Sequence, residues 1–270
     1  MENNIINGCT MKTKLNNRIW EIDFLRGFAF FLMLIDHITF DIASPFFSYW
    51  VTNFSDSHPL VILGRSVQWF RSQDFVEVIR FIFISGIFLL VSGISANLSK
   101  SNFKRGVKLL IISIILSLIT VIIAIITGQY NFIIYFGILH CLSVCMILTP
   151  VMKQIPKGIL IIIGLAIIVV GIFLSKNNFH GHWLLLPFNF TPSFFVTGDY
   201  YPLFPFMGVY ILGYVLGSYI YKEKCSLFNS DYNLPPFNYF GRNALWLYFV
   251  HQVVIIIFLV VATGLFMIIR

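Results

Sequence analysis

Five ionisable side chains lie in one apolar stretch near the N-terminus: Asp23, Arg26, Asp36, His37 and Asp41. An imidazole can take a proton from a nucleophile near neutral pH, and a guanidinium can hold an anionic group. Asp41 follows His37 by one helical turn and could orient its ring. These residue types therefore predict a histidine that activates a nucleophile on the same helix as an arginine that engages an anionic partner.

Helical spacing places most of these side chains on one face. Arg26 and His37 are eleven residues apart and differ by only about 20° around a helix axis, while Asp23 and Asp41 coincide. The four lie within about 60°, and Asp36 points about 100° away from His37. Because charged groups are costly in lipid, this stripe must face the bundle interior or a water-filled cavity. The alternative interpretation is a salt-bridge stripe that only orders the helices.

Composition indicates the element that carries this stripe. The 270 residues are 58% hydrophobic and only 11% charged, whereas a soluble domain has roughly 25% charged residues. We predict an all-α, polytopic transmembrane helical bundle, with residues 1–21 as a disordered cytoplasmic arm and 22–270 as the membrane domain. About seven spans are expected, near residues 22–43, 78–97, 107–127, 132–152, 158–174, 203–221 and 243–267.

The distribution of basic residues predicts the orientation. With the N-terminus inside, most lysines and arginines fall in short cytoplasmic loops, as the positive-inside rule requires. The outer side receives only Arg65, Arg71, Arg80, Lys176 and Arg270. We therefore expect multi-pass insertion with the N-terminus inside and the C-terminus outside. The net charge of +7 is explained by this topology, so no nucleic-acid partner is expected.

Further polar residues lie at depths or positions that could complete a site. His140 and His251 fall near the middle of the fourth and last spans, at a depth similar to that of His37. Asp199 and Tyr201 open the sixth span at the outer face. These four are predicted to surround the reacting groups or to line the acceptor side, although each buried histidine could instead be a hydrogen-bonded packing group.

Other segments predict structural features. The stretch around 58–72 is expected to form an interfacial helix. Gly213 and Gly217 form a G-x-x-x-G pair that would let two helix backbones approach closely. His180 and His182 share one outer loop, but two loop histidines are weak evidence for a metal site, and no metal is predicted.

Several blocks of the chain resemble the bacterial heparan-α-glucosaminide N-acetyltransferase-like catalytic domain family, in the same order. They are 'EIDFLRG…LMLIDH', 'FIFISG', 'YFGILH', 'DYYPLFPFMGVYILGYVLG' and 'YFGRNALWLYFVHQ'. The resemblance runs from about Arg18 to the C-terminus. The arrangement of an arginine eleven residues before a histidine is also similar to that of the broader transmembrane acyltransferase-3 group.

The resemblance implies transfer of an acyl group, with acetyl-CoA or another acyl-CoA as co-substrate. The donor would arrive from the cytoplasm, and the acceptor would be an extracytoplasmic hydroxyl or amine on an envelope glycan or lipid-linked sugar. His37, Asp41, Arg26 and Asp23 would form the catalytic group, although another histidine could be the base. Phosphates of the donor would be attracted by the remaining predicted residues, namely Lys104, Arg105, Arg242 and Asn243, together with Arg26.

Two other classes of function stay open at this point. Buried Asp, Arg and His residues also serve proton relays, so a proton-coupled transporter or permease is an alternative. A non-catalytic membrane scaffold is the other, and it would bind no CoA. The lipid bilayer is an expected partner in every case, and a homodimer is compatible with the sequence.

Overall fold

The computed structural model describes residues 19–99, 101–128, 130–177, 179–228 and 234–268. Within these residues all regular secondary structure is helical, with only isolated β-bridges in the loops, which confirms the all-α class. The α-helices are α1 Trp20–Asp41, α2 Phe47–Asn53, α3 Pro59–Arg71, α4 Asp74–Ile79, α5 Ile87–Ala96, α6 Asn102–Thr127, α7 Ile138–Met152, α8 Lys157–Asn177, α9 Leu203–Ile220, α10 Phe237–Arg242 and α11 Ala244–Ile268.

Some predictions concern residues that lie outside this description. Most of the predicted N-terminal arm, up to residue 18, and Arg270 at the C-terminus belong to this part of the chain. Trp20 and Glu21, which the sequence assigned to the arm, already form the first turn of α1. The membrane domain therefore begins slightly earlier than predicted.

Six helical stretches within the described residues are long and apolar enough to cross a membrane. They are Trp20–Asn53, Asp74–Ala96, Asn102–Thr127, Lys157–Asn177, Leu203–Ile220 and Ala244–Ile268. The remaining predicted span, 132–152, contains the shorter helix α7, which has 15 residues. At 1.5 Å per residue α7 is roughly 22 Å long, somewhat less than the hydrocarbon core.

The late start of α7 has a local cause. The backbone before the helix bonds to another loop instead: Gly198 N–H donates to the Ile133 carbonyl and Tyr201 N–H to the Phe136 carbonyl, each at 2.9 Å. The Asp199 carboxylate then accepts from Ile138 N–H at 3.0 Å, at the first turn of α7. Residues that read as apolar helix in the sequence are thus held in an extended connection.

The first helix continues beyond its predicted end at residue 43. A π-helical segment, Ile42–Phe46, connects α1 directly to α2. Pro45 lies inside this segment and cannot donate a backbone hydrogen bond, and the wider π turn accommodates it without ending the helix. A second π segment, Arg80–Gly86, joins α4 to α5 in the same way.

The predicted helix around residues 58–72 is present as α3. It packs against α2 through a small core that contains Trp50 and Val61. Its other side exposes Ile62, Leu63, Trp69 and Phe70. An exposed apolar face of this kind is compatible with the predicted interfacial position.

The chain divides into two compact units. Among the described residues, the terminal unit comprises 19–88, 228 and 234–268, and the central unit comprises 89–99, 101–128, 130–177 and 179–227. In the terminal unit, α1 and α11 run parallel. The Arg242 guanidinium, just before α11, lies near Asp23 at the start of α1, and Gln252 binds Asp41 at its end. Further along, Thr263 binds Trp50, which lies beyond the π segment. Successive residues of one helix thus meet successive residues of the other in the same order.

The helix α10 packs closely on the first half of α1. A β-carbon on Gly27 would overlap the Phe237 carbonyl, and one on Gly241 would overlap the Asp23 carbonyl. The two backbones can approach this closely only because both positions are glycine. This packing brings Arg242, the last residue of α10, to the start of α1.

In the central unit, the predicted G-x-x-x-G pair lies at a close helix crossing. A β-carbon on Gly213 would overlap the Leu90 backbone, and one on Gly217 would lie 2.7 Å from the Ile94 α-carbon. The pair therefore lets α9 and α5 approach at backbone distance, as predicted.

Candidate functional site

The N-terminal end of α1 carries one carboxylate between two guanidiniums. The Arg26 Nη1 atom lies 3.4 Å from Asp23 Oδ1, and the Arg242 Nε atom lies 3.7 Å from Asp23 Oδ2. The Asp23 side chain is buried, whereas those of Arg26 and Arg242 remain 31% and 47% exposed. Both arginines can therefore reach solvent and an anionic ligand while they remain near the carboxylate.

His37 and His251 meet further along α1. Their ring centroids are 4.8 Å apart and the rings are nearly perpendicular. His37 Nδ1 lies 2.9 Å from the Met33 carbonyl, and His251 Nδ1 lies 2.6 Å from the Tyr248 carbonyl. Because a carbonyl oxygen can only accept, Nδ1 is the donor in both rings, and in the neutral form Nε2 carries the lone pair.

The two Nε2 atoms differ in their surroundings. His251 Nε2 is buried and has no hydrogen-bond partner among the described residues. His37 is only partly buried, so its Nε2 is accessible. A partly exposed imidazole with a fixed tautomer and a free lone pair meets the geometric requirement for a general base.

Asp41 does not bind the His37 ring as the sequence suggested. Both Asp41 oxygens accept from the Gln252 amide, at 2.9 and 3.2 Å, and Asp41 is almost fully buried. The Met33 carbonyl one turn earlier orients His37 instead. The difference arises because α11 supplies a donor that α1 alone does not contain.

Asp36 forms a second carboxylate–guanidinium cluster that the sequence did not predict. Asp36 Oδ1 accepts from Arg71 Nη1 at 2.7 Å and from Arg80 Nε at 2.6 Å. Arg71 Nη1 also lies 2.6 Å from Thr39 Oγ1 and 3.0 Å from the Asp36 carbonyl. Asp36 thus has partners different from those of His37, in line with their predicted separation of about 100° around the helix.

Burial and the neighbouring charges have opposing effects on the pKa of Arg71. Burial lowers the pKa of the Arg71 guanidinium; the neighbouring Asp36 raises it and the like-charged Arg80 lowers it further. From the sequence, Arg71 and Arg80 are expected only as outer basic residues. The only hint of their role in the sequence is their position: Arg71 lies in the loop after the first predicted span, and Arg80 lies in the second predicted span.

His140 belongs to the central unit and has a different environment. Its Nδ1 accepts from Gly137 N–H at 3.3 Å, and its Nε2 lies 3.4 Å from Ser117 Oγ. Both ring nitrogens therefore have partners, one just before α7 and the other on α6. These contacts match the alternative that the sequence analysis left open, a hydrogen-bonded packing histidine.

The other predicted residues are also placed. Asp199 caps α7 through Ile138 N–H, and Tyr201 follows it in the same loop. Lys104 and Arg105 are exposed near the start of α6, where Arg105 Nη1 donates to Ser99 Oγ at 3.2 Å. Asn243, immediately before α11, donates to the Tyr239 carbonyl at 3.0 Å. Their predicted roles stay predictions.

The loop histidines do not converge on a metal site. His180 Nδ1 lies 3.3 Å from the Thr191 carbonyl, and His182 Nδ1 accepts from Leu184 N–H. Across the described residues, no group of three or more His, Cys, Asp or Glu side chains is arranged to hold a metal ion.

Fold and site together define a multi-pass membrane protein with ionisable groups buried along its first helix. A family model described as "Heparan-alpha-glucosaminide N-acetyltransferase, catalytic" matches residues 18–253. Because the match covers most of the chain, the protein belongs to this family of membrane transferases. No curated protein and no solved structure matches the chain.

Proposed function

We propose that the protein transfers an acyl group, expected to be acetyl, from cytoplasmic acyl-CoA to a hydroxyl or amine presented on the other side of the membrane. The observation that carries the proposal is the tautomer of His37, which donates from Nδ1 to the Met33 carbonyl and leaves Nε2 without a hydrogen bond to any described residue. Family membership supports the transferase class. The acceptor is proposed to be an envelope glycan or lipid-linked sugar, and the membrane a bacterial-type plasma membrane.

The chemistry follows from the free lone pair. His37 Nε2 takes the proton of the acceptor O–H or N–H while that oxygen or nitrogen attacks the thioester carbonyl. The C–S bond then breaks, and the imidazolium returns the proton to the CoA thiolate. Acyl-CoA and acceptor are thereby converted to acylated acceptor and free CoA, with no other reactant.

The donor would bind at the opposite end of α1. Arg26 and Arg242 are partly exposed and lie 3.4 and 3.7 Å from Asp23, so both are placed to contact the phosphates of CoA. Asn243 adjoins Arg242 at the start of α11, where the helix dipole also favours an anion. Lys104 and Arg105, in the central unit, stay predicted contributors to the same attraction.

The parallel course of α1 and α11 supports the proposed topology. Two parallel spanning helices begin on the same side of the membrane, so the chain must cross an odd number of times in total. Six long helices and α7 provide seven crossings. We therefore propose that the N-terminus is inside and the C-terminus outside. A reporter fused after Arg270 should be active only outside the cell, and a cytoplasmic signal would contradict this.

Purified protein tests the activity directly. Acetyl-CoA should raise the thermal stability of the wild type, since a ligand that binds only the folded state shifts the unfolding equilibrium. His37→Gln should retain this stabilisation but transfer labelled acetyl groups to an envelope extract roughly 10²–10⁴-fold more slowly. His180→Gln, in an exposed outer loop, is the matched control and should behave as the wild type.

Three results would contradict the proposal. Unchanged transfer by His37→Gln would remove this residue as the base. Substrate flux in liposomes that depends on pH but not on CoA would favour a transporter. A wild type that neither binds acetyl-CoA nor transfers acetyl groups would favour a scaffold.

A further inference from the structure

The Asp36 cluster leaves much of its hydrogen-bonding capacity unused. Asp36 engages only Nη1 of Arg71, together with Nε and Nη2 of Arg80. Among the described residues, neither Nε and Nη2 of Arg71 nor Nη1 of Arg80 makes a hydrogen bond. The Arg71 side chain is 11% exposed and that of Arg80 is 37% exposed. The Arg80 guanidinium is therefore partly accessible to a ligand, and that of Arg71 lies nearly buried beside it with unused N–H groups.

Two guanidiniums share a single carboxylate oxygen in this cluster. An ordinary structural ion pair needs one cation for each carboxylate, and a second cation on the same oxygen adds repulsion between the arginines. The sharing nevertheless fixes both planes in space, because short bonds hold each of them. A doubly charged oxyanion would relieve the repulsion and accept from the free edges.

Other charges near the cluster do not occupy these edges. Asp41 acts on Arg71 at a distance, but its oxygens already accept from Gln252. Asp74 and Glu77 lie on α4, before Arg80, and both are exposed to solvent. No ion pair joins either of them to an arginine within the described residues. Within the described part of the chain, these N–H groups thus have no anionic partner.

The position of the cluster relates it to the reaction. Asp36 immediately precedes His37 in α1, and Thr39, which binds Arg71, follows two residues later. Arg26 and Arg242 lie towards the other end of the same helix, about 15–20 Å away along its axis. An anion held by Arg71 and Arg80 would therefore be at the same level along α1 as the proposed base and far from the proposed CoA phosphates.

We propose that Arg71 and Arg80 bind a phosphate group of the acceptor and thereby hold a phosphorylated or lipid-linked sugar beside His37. This inference rests on the proposed acyl transfer. A phospholipid headgroup offers the same phosphate chemistry, so the experiment must separate the two sources.

Full-length protein in dodecyl maltoside, which contains no phosphate, provides the test. Thermal stability is measured during titration with farnesyl phosphate, and with farnesol as the uncharged control. Farnesyl phosphate should stabilise the wild type and farnesol should not. Arg80→Gln should weaken the apparent affinity by about tenfold or more, because a charge-assisted bidentate contact is lost. The affinity of Arg80→Lys should lie between those of the wild type and Arg80→Gln, because lysine keeps the positive charge but cannot form two parallel hydrogen bonds.

The matched control is Arg65→Gln, because Arg65 lies on the same helix as Arg71 and pairs with Asp56 at an exposed position. It should bind farnesyl phosphate as the wild type does. Equal affinity in Arg80→Gln, or equal stabilisation by farnesol, would overturn the proposal. Phosphatidylglycerol that displaces farnesyl phosphate, with diacylglycerol inactive, would support the phosphate site but identify the lipid headgroup as its source.

An acetyl-CoA titration of the same variants separates this inference from the proposed function. Arg80→Gln should keep the acetyl-CoA response while it loses the farnesyl phosphate response. Loss of both responses in Arg80→Gln would show that the cluster holds donor phosphates, which overturns the acceptor assignment. A wild type without any acetyl-CoA response would contradict the acyl transfer but leave the phosphate measurement intact.

Discussion

The two ends of α1 each place one aspartate between two arginines, but the two clusters differ in tightness. Asp36 holds its arginines at 2.6 and 2.7 Å, within strong hydrogen-bond distance. Asp23 lies 3.4 and 3.7 Å from its arginines, and its Oδ2 atom is buried without a hydrogen-bond partner among the residues that the structure describes. The first cluster is therefore ordered by its side chains, and the second has side chains that can still move.

The helices around each cluster explain this difference. At the Asp23 end, Gly27 and Gly241 bring two backbones into contact, so the helices are positioned without help from the charged groups. At the Asp36 end, α1 meets α3 and the second π segment through long arginine side chains. A charged cluster that positions helices needs short hydrogen bonds. A cluster that binds a ligand benefits from side chains that can change conformation.

The largest expected effect comes from removal of the tight carboxylate. Asp36→Asn would leave the buried Arg71 guanidinium without its counter-charge, and we expect a loss of about 3–5 kcal/mol in the free energy of unfolding. Asp23→Asn should cost about 1 kcal/mol or less, because Arg26 and Arg242 can turn to solvent. Chemical denaturation in detergent measures both variants. Equal losses would remove the distinction between the two clusters.

The backbone contact at the Asp23 end predicts an intermediate effect. Gly241→Ala places a methyl group against the Asp23 carbonyl, and the resulting overpacking should cost about 1–3 kcal/mol. Gly158→Ala is the matched control, since a β-carbon there meets nothing within 4 Å. The same denaturation assay applies. A neutral Gly241→Ala would mean that side chains, not backbones, hold this end together.

The smallest effect on stability is expected for the mobile arginine. Arg242→Gln should change the free energy of unfolding by less than about 1 kcal/mol, because its side chain is half exposed. Its affinity for acetyl-CoA should nevertheless fall by roughly tenfold, as a charged contact to phosphate is lost. Thermal unfolding without acetyl-CoA reports the stability of the variant, and the change on adding acetyl-CoA reports its affinity. Unchanged affinity would exclude Arg242 from the donor site.

The three histidines show how well the predicted depth of a residue in the membrane identifies a functional site. His37, His140 and His251 fall at similar depths, and the sequence treated them alike. In the structure the rings of His37 and His251 contact each other and neither Nε2 atom bonds to a described residue, whereas both nitrogens of His140 have partners. Whether a buried imidazole can react depends on its hydrogen bonds, and those bonds come from residues that periodicity does not identify.

Local backbone bonding similarly limited the prediction of helix ends. Residues 132–137 are apolar enough to continue a span, but their carbonyls accept from Gly198 and Tyr201 far along the chain. Pro45 would ordinarily suggest that a helix ends, yet a π turn carries the first helix through to Asn53. Hydropathy reports where a helix is favourable, and it does not report competing partners for the backbone.

The sequence by itself determined the membrane class, the approximate helices and the polar stripe along α1, because composition and a period of 3.6 residues are properties of the chain alone. Tertiary structure decided what the stripe contacts: Arg242 near Asp23, Gln252 on Asp41, and Arg71 with Arg80 on Asp36. These partners are distant in sequence, and a hydrogen bond forms only when folding brings its two atoms within about 3 Å.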